Sequence, residues 1–183
     1  MTKVLATELA IRGVTVVSGL ARGVVAAAHQ AALEAGGRTL AVLGSGIDQI
    51  YPPEHRKMAE KIRENGAVIS DYPPGTMPEA VNFPPRNRII SGLSKAVVIV
   101  EAGSKSGALI TAAYAADQGR EVYAVPGNLF APQSIGTNSL IREGAQVYLN
   151  PKDFIESLEL SQNLDFNNVR AVLPTNATEA QLF

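Results

Sequence analysis

Residues 82–88, Asn-Phe-Pro-Pro-Arg-Asn-Arg, place an aromatic ring, two prolines and two guanidinium groups side by side. Proline fixes its own φ and keeps the preceding residue extended, so we expect Phe83 and Pro84 to follow an ordered, non-helical path. An exposed ring beside Arg86 and Arg88 suits a base to stack on and phosphates to hold. The alternative interpretation is a loop in which Phe83 fills the core and both arginines are solvated.

Repeated strand–loop–helix units must position these side chains. Short β-branched runs with little alternation are typical of strands buried on both faces, and they predict strands at 14–18, 39–43, 67–70, 96–100, 121–125 and 146–149. Helical patterns, several ended by glycine, lie at 3–12, 24–35, 53–65, 108–118 and 136–143. The alternation predicts an α/β protein with a Rossmann-like, doubly wound, mostly parallel sheet in three layers, α/β/α.

The loops at the carboxyl ends of these strands are rich in glycine and serine. Ligands bind at that edge of such sheets, and the loops there are 18–23, 44–46, 72–75, 102–107 and 126–128. Small residues let backbone amides approach a ligand closely, and the helix N-termini that follow favour anions. Arg22 and Lys105 add positive charge to two of these loops. The sequence therefore predicts a crevice suited to phosphates at this edge.

Composition narrows the class of protein. The 183 residues suffice for one domain with a core, and the net charge of −1 means that any polyanion must be bound by a local cluster of cations. The absence of cysteine excludes disulfides and thiol chemistry. The sequence shows no signal peptide and no apolar run as long as a membrane span, so we expect a soluble, cytoplasmic protein with no membrane partner.

Several weaker signals indicate structure rather than chemistry. Residues 44–46 lack the third glycine of a dinucleotide-binding loop. The two histidines have no metal-ligand spacing around them, and His29 is expected to be packed or hydrogen-bonded on its helix. No base is placed for Ser18 to act as a nucleophile. Asp71 and Glu101 end strands, and their carboxylates are expected to hold loop amides or to pair with the site arginines. We predict no catalytic residue, no metal and no cofactor.

An ordered series of motifs runs from about residue 14 to residue 150. It includes SGLARG at 18–23, GSGID at 44–48, YPPEH at 51–55, YPPG at 72–75, RNRIISGLS at 86–94, SGALIT at 106–111, AVPG at 124–127 and GTNSLIREGA at 136–145. Each motif alone is weakly specific, whereas the ordered set is highly specific. In this order the series resembles the DNA-processing protein A family (DprA, also called Smf).

The resemblance implies a Rossmann-like core that binds single-stranded DNA in a basic pocket, without catalysis and commonly as a homodimer. It implies a protein that protects incoming DNA during natural transformation and helps to load the RecA recombinase. The pocket residues carried over to this sequence are Ser18, Gly19, Arg22, Phe83, Arg86, Asn87, Arg88, Lys105, Ser106 and Gly107. Phe83 would stack on a base, and Lys105 would add a point charge. Arg22 and either Arg86 or Arg88 would clamp phosphates.

The chain departs from the family pattern at several points. Val25 stands where an acidic residue is usual, which affects the capping of that helix or the aiming of Arg22. The family's first strand, with its Gly-(Ser/Thr)-Arg loop, is missing, so the sheet would have an unpaired neighbour that a partner chain could fill. We therefore expect a fragment or short form. Residues 1–158 would be the DNA-binding core, and residues 159–183 a linker and the start of a truncated appendage.

Two other functions remain open from the residues. The family shares a superfamily with nucleoside-monophosphate phosphoribohydrolases of the cytokinin-activating type, which carry a glycine-rich loop with a catalytic glutamate. The corresponding residues 103–112 hold no carboxylate, and glycosidic cleavage needs an acid–base group. A nucleotide-sensing module could use the same crevice for a mononucleotide. Competition between mononucleotide and oligonucleotide would separate that module from a strand-binding protein.

Overall fold

The computed structural model describes residues 1–158, and the predicted linker and appendage at 159–183 lie outside the described residues. The helices are α1 (Thr2–Ile11), α2 (Val24–Glu34), α3 (Arg56–Asn65), α4 (Phe83–Gly92), α5 (Gly107–Asp117), α6 (Ile135–Arg142) and α7 (Pro151–Ser157). The strands are β1 (Val16–Ser18), β2 (Thr39–Val42), β3 (Ala67–Ile69), β4 (Ala96–Ile99), β5 (Glu121–Ala124) and β6 (Gln146–Val147). All six predicted strands are present, with ends that differ by no more than two residues.

The strands form two parallel half-sheets, with the orders β1-β2-β3 and β4-β5-β6. Val16 pairs with Thr39 in the first half-sheet, and Ala96 pairs with Glu121 in the second. The predicted Rossmann-like, parallel architecture with flanking helices is confirmed. Among the described strands, however, no backbone pairing joins β1 to β4. We call the space between these two strands, bordered by residues 14–18 and 95–100, the gap.

Helices rather than strand pairing hold the two half-sheets together. Helix α1 packs on α2 beside the first half-sheet and also contacts α7. Leu5 of α1 is buried in one cluster with Tyr123 of β5 and Phe154 of α7. The rings of Tyr123 and Phe154 meet edge-on, with centroids 4.8 Å apart. Within residues 1–158, no helix combines the length and the apolar character needed to cross a bilayer.

Helix α4 corrects the sequence prediction, since the expected non-helical path at Phe83 and Pro84 is wrong. Phe83 has φ −70° and ψ −43° and begins the helix, with the two prolines in its first turn. Proline fits there because first-turn amides have no acceptor within the helix and the fixed φ matches helical geometry. The helical period places Arg86, Asn87 and Ile90 on the buried side. Residue 88 is left on the exposed side.

Helix α7 was also not predicted, and its start has a clear local cause. The Asn150 side chain accepts a hydrogen bond from the amide of Asp153 at 3.0 Å, and Pro151 occupies the first helical position. Both features favour a helix start. The helix then buries Phe154 and Ile155 against the second half-sheet.

Candidate nucleic-acid-binding site

A cavity of about 1060 Å³ opens at the carboxyl ends of β1 and β4 and continues into the gap. Eight of the ten predicted site residues line it, and they come from the loop after β1, the start of α4 and the start of α5. These residues are Ser18, Gly19, Arg22, Phe83, Arg86, Asn87, Ser106 and Gly107. Arg88 and Lys105 are not among the lining residues. Most of the predicted site residues therefore lie together at the carboxyl edge of the strands, where ligands bind in sheets of this type.

The loop after β1 is held in a constrained conformation. Leu20 is fully buried and has a φ of 59°, a left-handed value that is uncommon for a residue with a side chain. Its amide donates to Nε2 of His29 at 3.4 Å. Its carbonyl lies 2.7 Å from Nδ1 of His55, which donates to it. Two imidazoles therefore hold the peptide groups on both sides of Leu20. These two hydrogen bonds fix the backbone conformation of the loop that carries Gly19 and Arg22.

The tautomer of His29 follows from its partners. The hydroxyl of Thr39 donates to the carbonyl of Val16 at 2.7 Å, so it accepts the hydrogen bond from Nδ1 of His29, also at 2.7 Å. Nε2 is then unprotonated and accepts the amide of Leu20. Burial, and to a lesser extent the charge of the nearby His55, lower the pKa of His29 to about 4. The prediction that His29 is packed and hydrogen-bonded is confirmed.

Arg86 lies inside the protein, with 5% of its surface exposed. Its Nη1 donates to the carbonyl of Gly19 at 3.1 Å and to the carbonyl of Val42, and its Nε donates to Oδ1 of Asn87 at 3.2 Å. Burial lowers the pKa of Arg86 to about 10, which leaves it charged at neutral pH. The guanidinium thus joins the carboxyl ends of β1 and β2. Nη1 and Nε therefore donate to acceptors within the protein, and the phosphate-clamp role expected of Arg86 stays a prediction.

Gly19 leaves the space that the guanidinium of Arg86 occupies. A Cβ atom at position 19 would lie 2.7 Å from Nη2 of Arg86, which is closer than side-chain carbons approach other atoms. The missing side chain therefore lets the guanidinium lie against the backbone of the loop.

Phe83 is half-buried at the edge of the cavity, and the packing around it is tight. Its ring centroid lies 5.8 Å from that of Tyr51, with the planes tilted by 35°. A Cβ atom on Gly44 would lie 2.7 Å from Cδ1 of Phe83, so Gly44 leaves the room that the ring needs. Tyr51 also lines the cavity and was not predicted as a site residue. Its position in the YPPEH motif was the available signal. Two rings thus form an aromatic edge.

The exposed cations of the site differ in their partners. Arg22 donates from Nε to Glu54 at 2.6 Å, and this contact raises the pKa of Arg22 and lowers that of Glu54. Arg88 pairs with Asp71 at 2.8 Å on the outer side of α4. Lys105 is exposed and makes no ion pair with any residue between 1 and 158. Sequence reasoning missed Glu54, which is 32 residues away from Arg22.

The start of α5 supplies backbone donors. Ser106 caps the helix by accepting from the amide of Ala108 at 3.3 Å, and Asn87 donates to the carbonyl of Gly107 at 3.3 Å. The first turn of α5 carries no acidic residue, so its free amides and helix dipole favour an anion. In the part of the chain that the structure describes, no cluster of three or more acidic, histidine or cysteine side chains could hold a metal ion.

Comparison with known proteins identifies the family of this chain. Residues 1–159 match the family model for DNA recombination-mediator protein A. The chain is 45% identical over 173 residues to the protein Smf of Synechocystis sp.. This alignment covers 94% of this chain and 44% of that protein. It is 49% identical over 152 residues to the protein Smf of Escherichia coli, in an alignment that covers 82% of this chain and 41% of that protein. The chain therefore spans less than half the length of these relatives.

A solved structure is similar as well. The structure of DNA processing protein A from Helicobacter pylori, described for its single-stranded DNA binding mode, superposes with a TM-score of 0.78 at 36% identity. The alignment covers 86% of this chain and 72% of that one. The resemblance inferred from the ordered motifs is therefore confirmed, and this chain belongs to the DNA recombination-mediator protein A family.

Proposed function

We propose that this chain binds single-stranded DNA at the mouth of the cavity, without strong sequence preference. The observation that carries the proposal is the meeting of an aromatic edge, Phe83 and Tyr51, with Arg22 and the start of α5 around one opening. An aromatic platform beside cations and free amides suits a strand whose bases are unstacked. The Helicobacter pylori relative, described with a single-stranded DNA binding mode, supports the same ligand class.

The surroundings of each side chain at the cavity mouth indicate which part of the DNA it would contact. A base would stack on Phe83, whose ring is held at the edge by Tyr51 and Gly44. Phosphates would contact Arg22, Lys105 and the first amides of α5, because these donors face solvent. Ser18, Asn87 and Ser106 would add neutral hydrogen bonds, and Arg88 would contact the strand only where it passes the outer side of α4.

Arg86 would act as a positioning residue. Its donors hold the carbonyls of Gly19 and Val42, so it would shape the loop that binds DNA and would not itself contact the phosphates. The charge of Arg86 would still add to the local positive field, which the nearly neutral chain needs to attract a polyanion.

The cellular role is proposed from family membership. The chain would process incoming DNA in the cytoplasm during natural transformation, acting as a homodimer and delivering the strand to the RecA recombinase. Because the chain spans 44% of its Synechocystis relative, these activities of the whole protein belong to the proposal. We propose no catalytic step, since the first turn of α5 lacks the carboxylate that cleavage of an N-glycosidic bond would need.

The experiment is fluorescence anisotropy of a labelled oligothymidine, at two salt concentrations, with duplex DNA and AMP as competitors. Binding that weakens with salt, and that neither competitor displaces at equal nucleotide concentration, is the expected result. Displacement by AMP would contradict strand binding and favour a nucleotide site. Absence of binding by a sample whose circular dichroism shows a folded protein would overturn the proposal.

A further inference from the structure

The loop between β5 and α6, residues 126–134, carries two exposed apolar side chains at its tip. Leu129 is 77% exposed, and Phe130 is 93% exposed, the highest value among the large apolar side chains of residues 1–158. Both faces of the Phe130 ring therefore lie open to solvent. An exposed ring favours a flat apolar partner, because its surface stays in contact with water until something covers it.

Hydrogen bonds fix the conformation of this tip. The side chain of Asn128 accepts from the amide of Phe130 at 2.8 Å, and its backbone carbonyl accepts from the amide of Ala131 at 3.0 Å. At the base of the loop, Asn138 of α6 exchanges two hydrogen bonds with the backbone of Gly127, at 3.0 and 3.1 Å. The chain thus holds the ring at a defined place, which lowers the entropy cost of binding a ligand there.

The β5–α6 loop lies at the edge of the sheet where the candidate DNA site opens. Strands β4 and β5 are parallel neighbours, so the loops that follow them leave the sheet at the same edge. Beyond β4, the amide of Ala102 donates to the carbonyl of Gln133 at 2.8 Å. The β5–α6 loop therefore contacts residues 102–107, the loop that carries Lys105 and leads into α5.

The charges along these two loops favour a polyanion. Residues 102–107 and 126–134 contain no acidic side chain, and Lys105 is their single charge. Glu101, which precedes the first loop, lines the cavity instead. A strand that leaves the cavity mouth past the start of α5 would therefore meet a cation and free amides before it reaches Phe130. A single base is enough to cover a single ring, whereas a protein interface needs a wider surface.

We propose that Phe130 is a second base-stacking position for single-stranded DNA, reached by a strand that passes Lys105. The first position, Phe83, packs against Gly44 after β2, in the first half-sheet, and Phe130 follows β5 of the second. The bound strand would then cross the carboxyl ends of both half-sheets. This inference rests on the proposed function and gives it a longer path, of which a short oligonucleotide occupies only a part.

The test is fluorescence anisotropy with oligothymidines of about 5 and about 15 nucleotides, for the unchanged chain and for Phe130→Ala. The long strand should bind Phe130→Ala at least five-fold more weakly, with the salt slope unchanged, because the lost contact is stacking and not charge. The short strand should bind both proteins alike. Phe130→Tyr keeps the ring and should behave as the unchanged chain does. Ile11→Ala is the control, since Ile11 is also an exposed apolar side chain but does not line the cavity.

Photocrosslinking locates the contact directly. A long oligothymidine that contains 5-iodouracil should crosslink to both Phe83 and Phe130, identified by mass spectrometry of the digested protein. Crosslinks to Phe83 alone, or an equal loss of affinity in Ile11→Ala, would overturn this inference and leave the proposed function standing. No binding of either strand would overturn the proposed function itself. A changed sedimentation coefficient of Phe130→Ala without DNA would mean that the tip contacts a second copy, which would also overturn the stacking role.

Discussion

The amide of Leu20 donates to Nε2 of His29 at 3.4 Å, and this hydrogen bond connects the strained turn after β1 to helix α2. The bond requires an unprotonated Nε2, which the buried Nδ1–Thr39 contact enforces. The conformation of the loop that carries Arg22 therefore depends on a neutral imidazole.

Stability should fall as the pH is lowered from 6.5 to 4. The folded protein holds the pKa of His29 at about 4, below its ordinary 6.5, so in this window the unfolded chain binds more protons. The free energy of unfolding should decrease by about 3 kcal/mol from this group and change little further below pH 4. Urea unfolding at several pH values measures it, and His29→Gln should lose this part of the pH dependence. Equal pH slopes for both proteins would contradict a buried neutral His29.

Arg22→Ala should weaken binding to every oligonucleotide sequence alike. Loss of one phosphate contact on a single strand should reduce the slope of log K against log salt by about 0.7. The side chain is largely exposed, so the melting temperature should be nearly unchanged. Arg12→Ala is the matched control, since Arg12 is also an exposed, ion-paired arginine but does not line the cavity. If both variants lost the same affinity, Arg22 would have no specific role in the site.

Glu54→Gln should strengthen binding several-fold at low salt. The carboxylate of Glu54 now occupies Nε of Arg22, and a phosphate must displace it. Removing its charge leaves the arginine available and removes a repulsion of the strand. Anisotropy titration measures the change, with Glu60→Gln on the neighbouring helix as the control for net charge. Equal effects of the two substitutions would show that only the overall charge matters.

Arg86→Ala should destabilise the fold. The carbonyls of Gly19 and Val42 would each lose a buried donor, which together costs about 3 kcal/mol of unfolding free energy. Arg86→Lys should recover only part of this, since an ammonium cannot reproduce the planar fork. Arg88→Ala, on the exposed side of the same helix, is the control and should change stability little. A stable Arg86→Ala protein with a reduced salt slope would instead place Arg86 on the phosphates.

Phe83→Leu should weaken single-strand binding about ten-fold or more, with the salt slope unchanged. Leucine keeps the apolar packing beside Tyr51 but removes the flat face on which a base stacks. Gly44→Ala should have a similar effect on binding, because the added methyl would displace the Phe83 ring. Phe83→Tyr keeps the face and should bind nearly as the unchanged protein does. Full affinity in Phe83→Leu would show that the ring only fills the core.

The sequence alone was sufficient to locate the strands along the chain and to predict the sheet edge at which most of the candidate site residues meet. Runs such as 39–43 and 96–100 are apolar without alternation, and alternation with helices restricts them to a parallel sheet. The topology then places the loops at Arg22 and Ser106 at the same edge, whatever their detailed conformation. The local rule for residues before proline failed at Phe83, because burial of Arg86, Asn87 and Ile90 favours a helix there.

The directions of the charged side chains were decided by the tertiary structure. Arg22 and Arg86 look alike in the sequence, yet one faces solvent and the other donates to carbonyls of residues 19 and 42. The partners Glu54, Gly19 and Val42 are far away along the chain, so no local pattern identifies them. The same holds for the gap, whose free edges lie about 80 residues apart. Local composition thus determined the elements and their order, whereas contacts between distant residues decided what each arginine binds and where the sheet stays open.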